Sequence, residues 1–548
     1  MARALSLVAV AAWLVTMGVL VNRAYVQARS FNLATDLARY GSAAEWRGVY
    51  YRGEKIGFSV SQTNPTADGF ELLEDARLQM ALLGETTPAL IHTSAQLDRD
   101  FVLRSFDFSL DPGTGAVHVT GRVSGRHVSL TITTPGGTQT EERDLADVPV
   151  LSINLPRRLA ALGFKPGTQQ TFVVFDPATL SSETVTIAVG KREIVNVYAP
   201  SVVTLGLGKP SVTSRTNRPI PAFRVDLAFK GLQTSSWVTD TGEVVREESP
   251  LGLLTIRESP EEARRLAIGS RIQGDLLESA AVQPRRLTKN RIDDPRDVRR
   301  IRIQIEGTAL DSPEMRGAGQ SVDGNVLEIV DARSLRAGPA DPDVARYLRP
   351  ETYIESDDPG IRAEAEAAVA GVTDPRLKAE RLTRRVNGML DKKPTVSLPS
   401  AREVLRTKVG DCNEHTALYV AMARAVGLPA RIAVGLAYSR GAFYYHAWPE
   451  VYIDEGRGRG LWLPVDPTFN QFPADATHVR MTRGGLDRQA AILPLIGHLK
   501  MNIIDLELAP NSTPILVGRG SIDAGPMSVP FPVRTGMTCW SSPSSRAR

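Results

Sequence analysis

Between Trp46 and Glu258, apolar and polar residues alternate in short runs such as "KIGFSVSQ", "VHVTGRV", "VSLTITT" and "FRVDLAF", cut by the turn signals "DPGTG", "PGGT" and "DTGEV". Alternation at period two turns one face of each strand toward a core and leaves the other wet, and tight turns join such strands antiparallel. Residues 42–258 are therefore expected to form one large antiparallel β domain, a long curved sheet or a sandwich, broken by a short helix at Pro156–Leu162. No catalytic constellation stands out in this half, which reads as a structural or binding domain.

The segments around it carry other signals. Residues 4–21, "ALSLVAVAAWLVTMGVLV", run for eighteen positions without a charge, which meets the lower limit for crossing a bilayer core as a helix. Tyr25 and Val26 spoil the small-residue cleavage pattern that a removed signal peptide would need. Residues 1–30 are thus expected to be an uncleaved transmembrane signal anchor, a membrane partner for the chain, with the remainder on the outer side of the cytoplasmic membrane. A count of Arg3 against Arg23 and Arg29 points the other way, and position at the extreme N-terminus is given more weight. Residues 259–340 read as a linker with a small β element, 341–485 as a second domain, and 486–548 as a closing strand followed by a disordered tail.

Composition narrows the function classes. The 65 basic and 61 acidic residues are interleaved and leave a net charge of only +4, which gives nucleic-acid binding little support. The only two cysteines, Cys412 and Cys539, stand too far apart in sequence for a clustered CxxC zinc site and too few for a disulfide framework. No cofactor motif is read.

From Pro350 the pattern becomes helical. "DDPGIRAEAEAAVAG" and "TDPRLKAERLTRRVNGML" each begin with an acidic N-cap before proline, and Ser400 with Glu403 marks a third helix that is expected to stop at Gly410. Next comes "GDCNEHTALYVAMARAVGLPAR", where Asp411 and Glu414 form an Asp-first capping box and Gly427 and Pro429 supply the stop. Cys412 falls in the first turn of a helix that is apolar nearly all round and so belongs at the centre of its domain. Helix N-termini carry partial positive charge and unpaired N–H groups, which favour a thiolate and can donate to an oxyanion.

Three strands are expected to follow, "RIAVGLAY", "FYYHAWPEVYI" and "LWLPVDP". His446, Trp448, Glu450 and Tyr452 share a face of the second, and Asp466 precedes Pro467 at the end of the third. A helix on an antiparallel sheet can bring Cys412, His446 and Asp466 together as nucleophile, base and orienting carboxylate. A zinc site built from Cys412, His415, His446 and Asp466 is the metal alternative.

These three motifs, in this order, resemble the core of the transglutaminase-like superfamily, and of its bacterial members in particular, over about residues 353–480. The resemblance implies a papain-like cysteine-enzyme fold in circularly permuted form, with Cys412 as nucleophile, His446 as general base and acid, and Asp466 holding the imidazole. In animal members a tryptophan upstream of the cysteine helps hold the oxyanion. Here none lies between Trp237 and Trp448, which leaves the Cys412 N–H.

The fold expected is α+β: an N-terminal transmembrane helix, a large antiparallel β domain and a C-terminal transglutaminase-like domain. The function expected is acyl transfer from an amide or peptide bond of a protein or peptide substrate through a thioester. Hydrolysis is favoured over cross-linking because no cross-linking motif is present. The alternative is a degenerate core serving as an envelope binding or scaffold protein.

Overall fold

The computed structural model describes residues 44–510 apart from 83–84, 113–115, 136, 204–210, 230–231, 250–251, 266–280, 287–291, 309, 311, 394–399 and 486–498. The apolar run 4–21, Asn511 onward and the tail with Cys539 lie outside the described residues.

The alternating half forms a single fifteen-stranded sheet. Its first strand, Glu45–Tyr51, sits inside the sheet between Glu54–Pro65 and the last strand, Leu253–Glu258, so that the chain leaves this domain beside its own start. Neighbours are antiparallel throughout, except that the two-residue strand Pro149–Val150 runs parallel to Gln169–Asp176 at one edge. The sheet curls over itself. Phe106 from one arm and Phe175 from the other lie 5.6 Å apart, in a core shared with Leu130, Ile132, Leu151 and Val173. Leu155–Leu162 is the short helix that interrupts the strands, and its Leu155 and Leu159 are buried.

The opposite edge strand, Gly137–Asp144, does not end in solvent. Gln139 donates to Glu355, and Glu141 accepts from Thr352, so the segment leading into the second domain covers that edge. Tyr353 of the same segment is buried in the β-domain core, where loss of water pushes its hydroxyl pKa up.

Residues 298–330 supply three strands of a separate five-stranded sheet, and the strand Lys500–Leu508 inserts between Arg285–Arg286 and Val298–Glu306. Ile301, Ile303, Ile305, Leu327, Met501 and Ile503 give it a core continuous with that of the helical region.

Four helices follow: Pro359–Ala368, Pro375–Met389, Ala401–Thr407 and Cys412–Ala425. Asp358, Asp374 and Ser400 each cap their helix through the side chain. The third ends at Thr407, not Gly410, with Lys408 in the left-handed region at φ 55°. Gly410 is instead required by the next cap: a Cβ there would lie 2.2 Å from Cβ of Glu414, whose carboxylate folds back to the Asp411 N–H. The Cys412–Ala425 helix is buried nearly all along its length and packs on a second five-stranded sheet. That sheet runs in the order Gly338–Pro339, Arg459–Pro464, Ala442–Gly456, Ala430–Ser439, His478–Arg483.

Two expectations are corrected. Strand makes up 53% of the structure and helix 19%, so the fold is mostly β and not α+β: three large sheets outweigh a few short helices. No helix among the described residues is long and apolar enough to cross a membrane. The transmembrane helix and the single-pass location at the cytoplasmic membrane are withdrawn with it, because an apolar run at the lower limit of spanning length is an argument from length alone.

Candidate active site

The capping box at the head of the Cys412 helix is complete. The Asp411 side chain accepts from the Asn413 and Glu414 backbone, and Glu414 closes it by accepting from the Asp411 N–H at 2.9 Å. This geometry holds the first turn rigid and leaves Cys412 half-buried at its mouth. The helix is pinned to the strand Ala442–Gly456 by Thr416, whose hydroxyl donates to the Ala447 carbonyl at 3.0 Å. The N–H of that same Ala447 donates to the Cys412 sulfur, so cysteine and histidine segments meet at the residue next to His446.

His446 is buried, and its Nε2 donates to Asp466 Oδ2 at 2.8 Å. Its ring is stacked on Phe469, with centroids 4.5 Å apart and planes within 4°, and Trp448 lies 6.0 Å away on the same strand. With Nε2 committed to Asp466, Nδ1 is the nitrogen able to accept a proton from sulfur.

Asp466 is fully buried in a tight loop. Its backbone exchanges two hydrogen bonds with Gln471, and its Oδ1 accepts from the Phe469 N–H at 2.9 Å. Asn387, on the second helix, holds the loop from outside by donating to the carbonyls of Pro467 and Thr468.

The sequence reading missed His478. Its Nε2 lies 3.0 Å from the same Asp466 Oδ2, and its Nδ1 faces both the carboxylate and the carbonyl of Asp475. His446 and His478 stand on different strands with Ala430–Ser439 between them. They reach each other, with ring centroids 5.7 Å apart, because that middle strand presents only Gly435 and Ala437 opposite them. The available signal was a histidine opening the alternating strand "HVRMTR" soon after Asp466, and it is indistinguishable from a structural histidine without the sheet order.

The electrostatics follow from burial. Loss of water would raise the Asp466 carboxyl, but the imidazoles of His446 and His478 hold it far below the usual range. Burial lowers His478, yet Asp475 and the bonds to both carboxylates carry it up to about 10, so at neutral pH it is an imidazolium. Asp475 is held low by that imidazolium and by Thr477, despite its own burial. Burial pushes the Cys412 thiol well up and Asp411 adds to this, with the Ala447 N–H opposing both. The resting sulfur is therefore a thiol, contrary to the expected thiolate.

His415 lies in the same helix turn but takes another part. Its Nδ1 meets the Asp411 carbonyl at 2.6 Å, its buried Nε2 has no hydrogen-bond partner among the described residues, and burial lowers its pKa to about 4, so it stays neutral.

Among the described residues, the donors that converge within 4.8 Å are His446, Asp466 and His478, not the set with Cys412 and His415. Both Nε2 atoms lie within hydrogen-bond distance of one shared carboxylate oxygen, at 2.8 and 3.0 Å. These contacts are hydrogen bonds.

Glu450, next on the face of His446 and Trp448, is a structural anchor. It is fully buried and paired with Arg431, Arg480 and Arg483. Arg480 and Arg483 reach on to the carbonyls of Glu314, Gly317 and Arg316, tying the two five-stranded sheets together.

No curated protein matches the chain. Among solved structures, a candidate cysteine protease of Cytophaga hutchinsonii is similar at 18% identity, with 37% of this chain and 83% of that one covered and a TM-score of 0.26. A β-barrel-like protein of a domain of unknown function from Brucella abortus is similar at 12% identity, with 39% and 96% covered and a TM-score of 0.28. A Pseudomonas aeruginosa protein of another uncharacterised family is similar at 14% identity, with 35% and 89% covered and a TM-score of 0.22. The family model for the transglutaminase-like superfamily core matches residues 362–467, a stretch that includes Cys412, His446 and Asp466 and stops short of His478. Residues 362–467 of this chain are a transglutaminase-like superfamily domain.

Proposed function

We propose that the chain is a cysteine acyl-transfer enzyme that cleaves an amide or peptide bond of a protein or peptide substrate through a thioester on Cys412. The observation that carries this is the buried His446–Asp466 pair at 2.8 Å, set beside the Ala447 N–H that points at the Cys412 sulfur.

The resting Cys412 sulfur is a thiol. As the Cys412 sulfur attacks the substrate carbonyl, its proton passes to His446 Nδ1, and Asp466 stabilises the imidazolium that forms. The capping box uses the N–H groups of Asn413 and Glu414, so the Cys412 N–H is the helix-start donor left for the tetrahedral oxyanion. The imidazolium then protonates the leaving nitrogen. Ammonia or an amine departs, and the acyl group remains on sulfur. Water, deprotonated by His446, attacks the thioester, releases the acid and restores the thiol.

Hydrolysis is preferred here over transfer to a lysine amine. A degenerate domain serving only as a scaffold is the competing outcome. The test is acylation by p-nitrophenyl acetate, with the adduct located by mass spectrometry. The expected result is an acetyl group on Cys412 whose formation falls at least about a hundredfold in His446→Ala, the size typical of general-base loss. An adduct rate equal in wild type and His446→Ala refutes the catalytic reading and leaves the scaffold.

A further inference from the structure

The proposed chemistry uses Asp466 through one hydrogen bond, yet the same oxygen accepts a second, from a residue two strands away on the same sheet. We propose that His478, anchored by Asp475, is a positioning residue that clamps the Asp466 carboxylate from behind and restrains the basicity of His446. This rests on the acyl-transfer reading of the site.

Geometry carries the argument. His446 Nε2 and His478 Nε2 stand 2.8 and 3.0 Å from Asp466 Oδ2, and all three side chains are buried. His478 is fixed in turn by Asp475 Oδ1 at 3.2 Å, and Asp475 by Gln471 Nε2 at 2.7 Å and by the Thr477 N–H and hydroxyl. Gln471 is the residue whose backbone closes the Asp466 loop, so the network returns to its origin. A neutral hydrogen-bonding partner would orient Asp466 equally well. A buried imidazole between two carboxylates also brings a positive charge, and that charge lies 5.7 Å from the His446 ring.

The charged and titratable groups around His478 are few. Asp475 precedes it, Asp466 and His446 face it across the sheet, Arg480 lines the same small cavity, and Arg333 acts on Asp475. Lys392 interacts electrostatically with Asp466 as well. A cation beside the Asp466–His446 pair disfavours a second cation on His446.

The experiment is the pH profile of Cys412 acetylation by p-nitrophenyl acetate in the full chain, for wild type, His478→Gln and Asp475→Asn. Glutamine can still donate to Asp466 but carries no charge. Coulomb's law at 5.7 Å and an effective dielectric constant of about 20 gives an upward move of the acid limb by about two pH units in His478→Gln. Asp475→Asn, which leaves His478 in place but unanchored, moves it the same way by less and serves if the first variant does not fold. An acid limb unmoved in a folded variant, with only thermal stability reduced, reduces His478 to a structural residue and overturns the inference. Wild-type acetylation that His446→Ala leaves unchanged overturns the acyl-transfer reading itself and the inference with it.

Discussion

Asp466→Asn tests the site most sharply, because the structure dictates a conflict that asparagine cannot resolve. The carboxylate accepts three N–H groups: His446 and His478 on Oδ2, and Phe469 on Oδ1. Asparagine has one oxygen and one NH2. With its oxygen toward the imidazoles, the NH2 meets the Phe469 N–H; with its oxygen toward Phe469, the NH2 meets two Nε2 donors. Each orientation buries at least one unsatisfied donor at a cost of about 1–3 kcal/mol. In the second orientation His446 also relieves the clash by moving its proton to Nδ1, where it can no longer accept from sulfur. Loss of the correct tautomer in a triad lowers kcat by about 10⁴, equivalent to about 5 kcal/mol of barrier. The assay is single-turnover acetylation of Cys412 by p-nitrophenyl acetate at neutral pH, with thermal unfolding alongside. A folded Asp466→Asn protein that acylates within about tenfold of wild type would show that the His446 tautomer is not set by Asp466 and would refute the reasoning.

Other perturbations probe the frame that holds the site. Glu450→Gln leaves two buried guanidinium groups and a partly buried third facing an uncharged amide and should cost about 3–5 kcal/mol of stability, read from denaturant midpoints; an unchanged midpoint contradicts its role as anchor. Gly435→Ala places a Cβ 2.0 Å from the Val479 carbonyl and should part the His446 and His478 strands, lowering both melting temperature and Cys412 acetylation. The pH dependence of stability has a definite sign. His478 is raised to about 10, so its contribution is complete below the ordinary histidine value of about 6.5 and is lost as pH climbs through 10. Asp466 and Asp475 are lowered, so theirs is present above the ordinary value of about 3.9 and is lost on acidification below it. Urea melts from pH 3 to 11 should show both flanks, and His478→Gln should flatten the alkaline one. Because the Cys412 thiol is raised, its alkylation by iodoacetamide should still be climbing above pH 8.5, about the value for a free thiol. A plateau below pH 7 would place a thiolate at rest.

Local patterns determined much of this protein. Alternation at period two is enough to assign strands from Trp46 onward, since side chains on a pleated ribbon must alternate faces whatever they pair with. Asp411 and Glu414 were enough to start a helix at Cys412, because a capping box is satisfied within one turn. The order of the cysteine, histidine and aspartate motifs is likewise a property of the chain.

What the sequence could not determine is what depends on neighbours distant in it. The α+β expectation overweighted clear helix caps and underweighted strands such as Ser181–Val203 and Ser211–Phe229, which lengthen through pairing. The spanning expectation for residues 4–21 rested on length and apolarity, and no described helix supports it. His478 joined the site only when the Ala430–Ser439 strand fell between it and His446, with Gly435 and Ala437 too small to keep the rings apart. The state of the Cys412 sulfur also reversed. A helix start favours a thiolate, but burial beside Asp411 outweighs it, and burial belongs to the packed structure and not to any single segment.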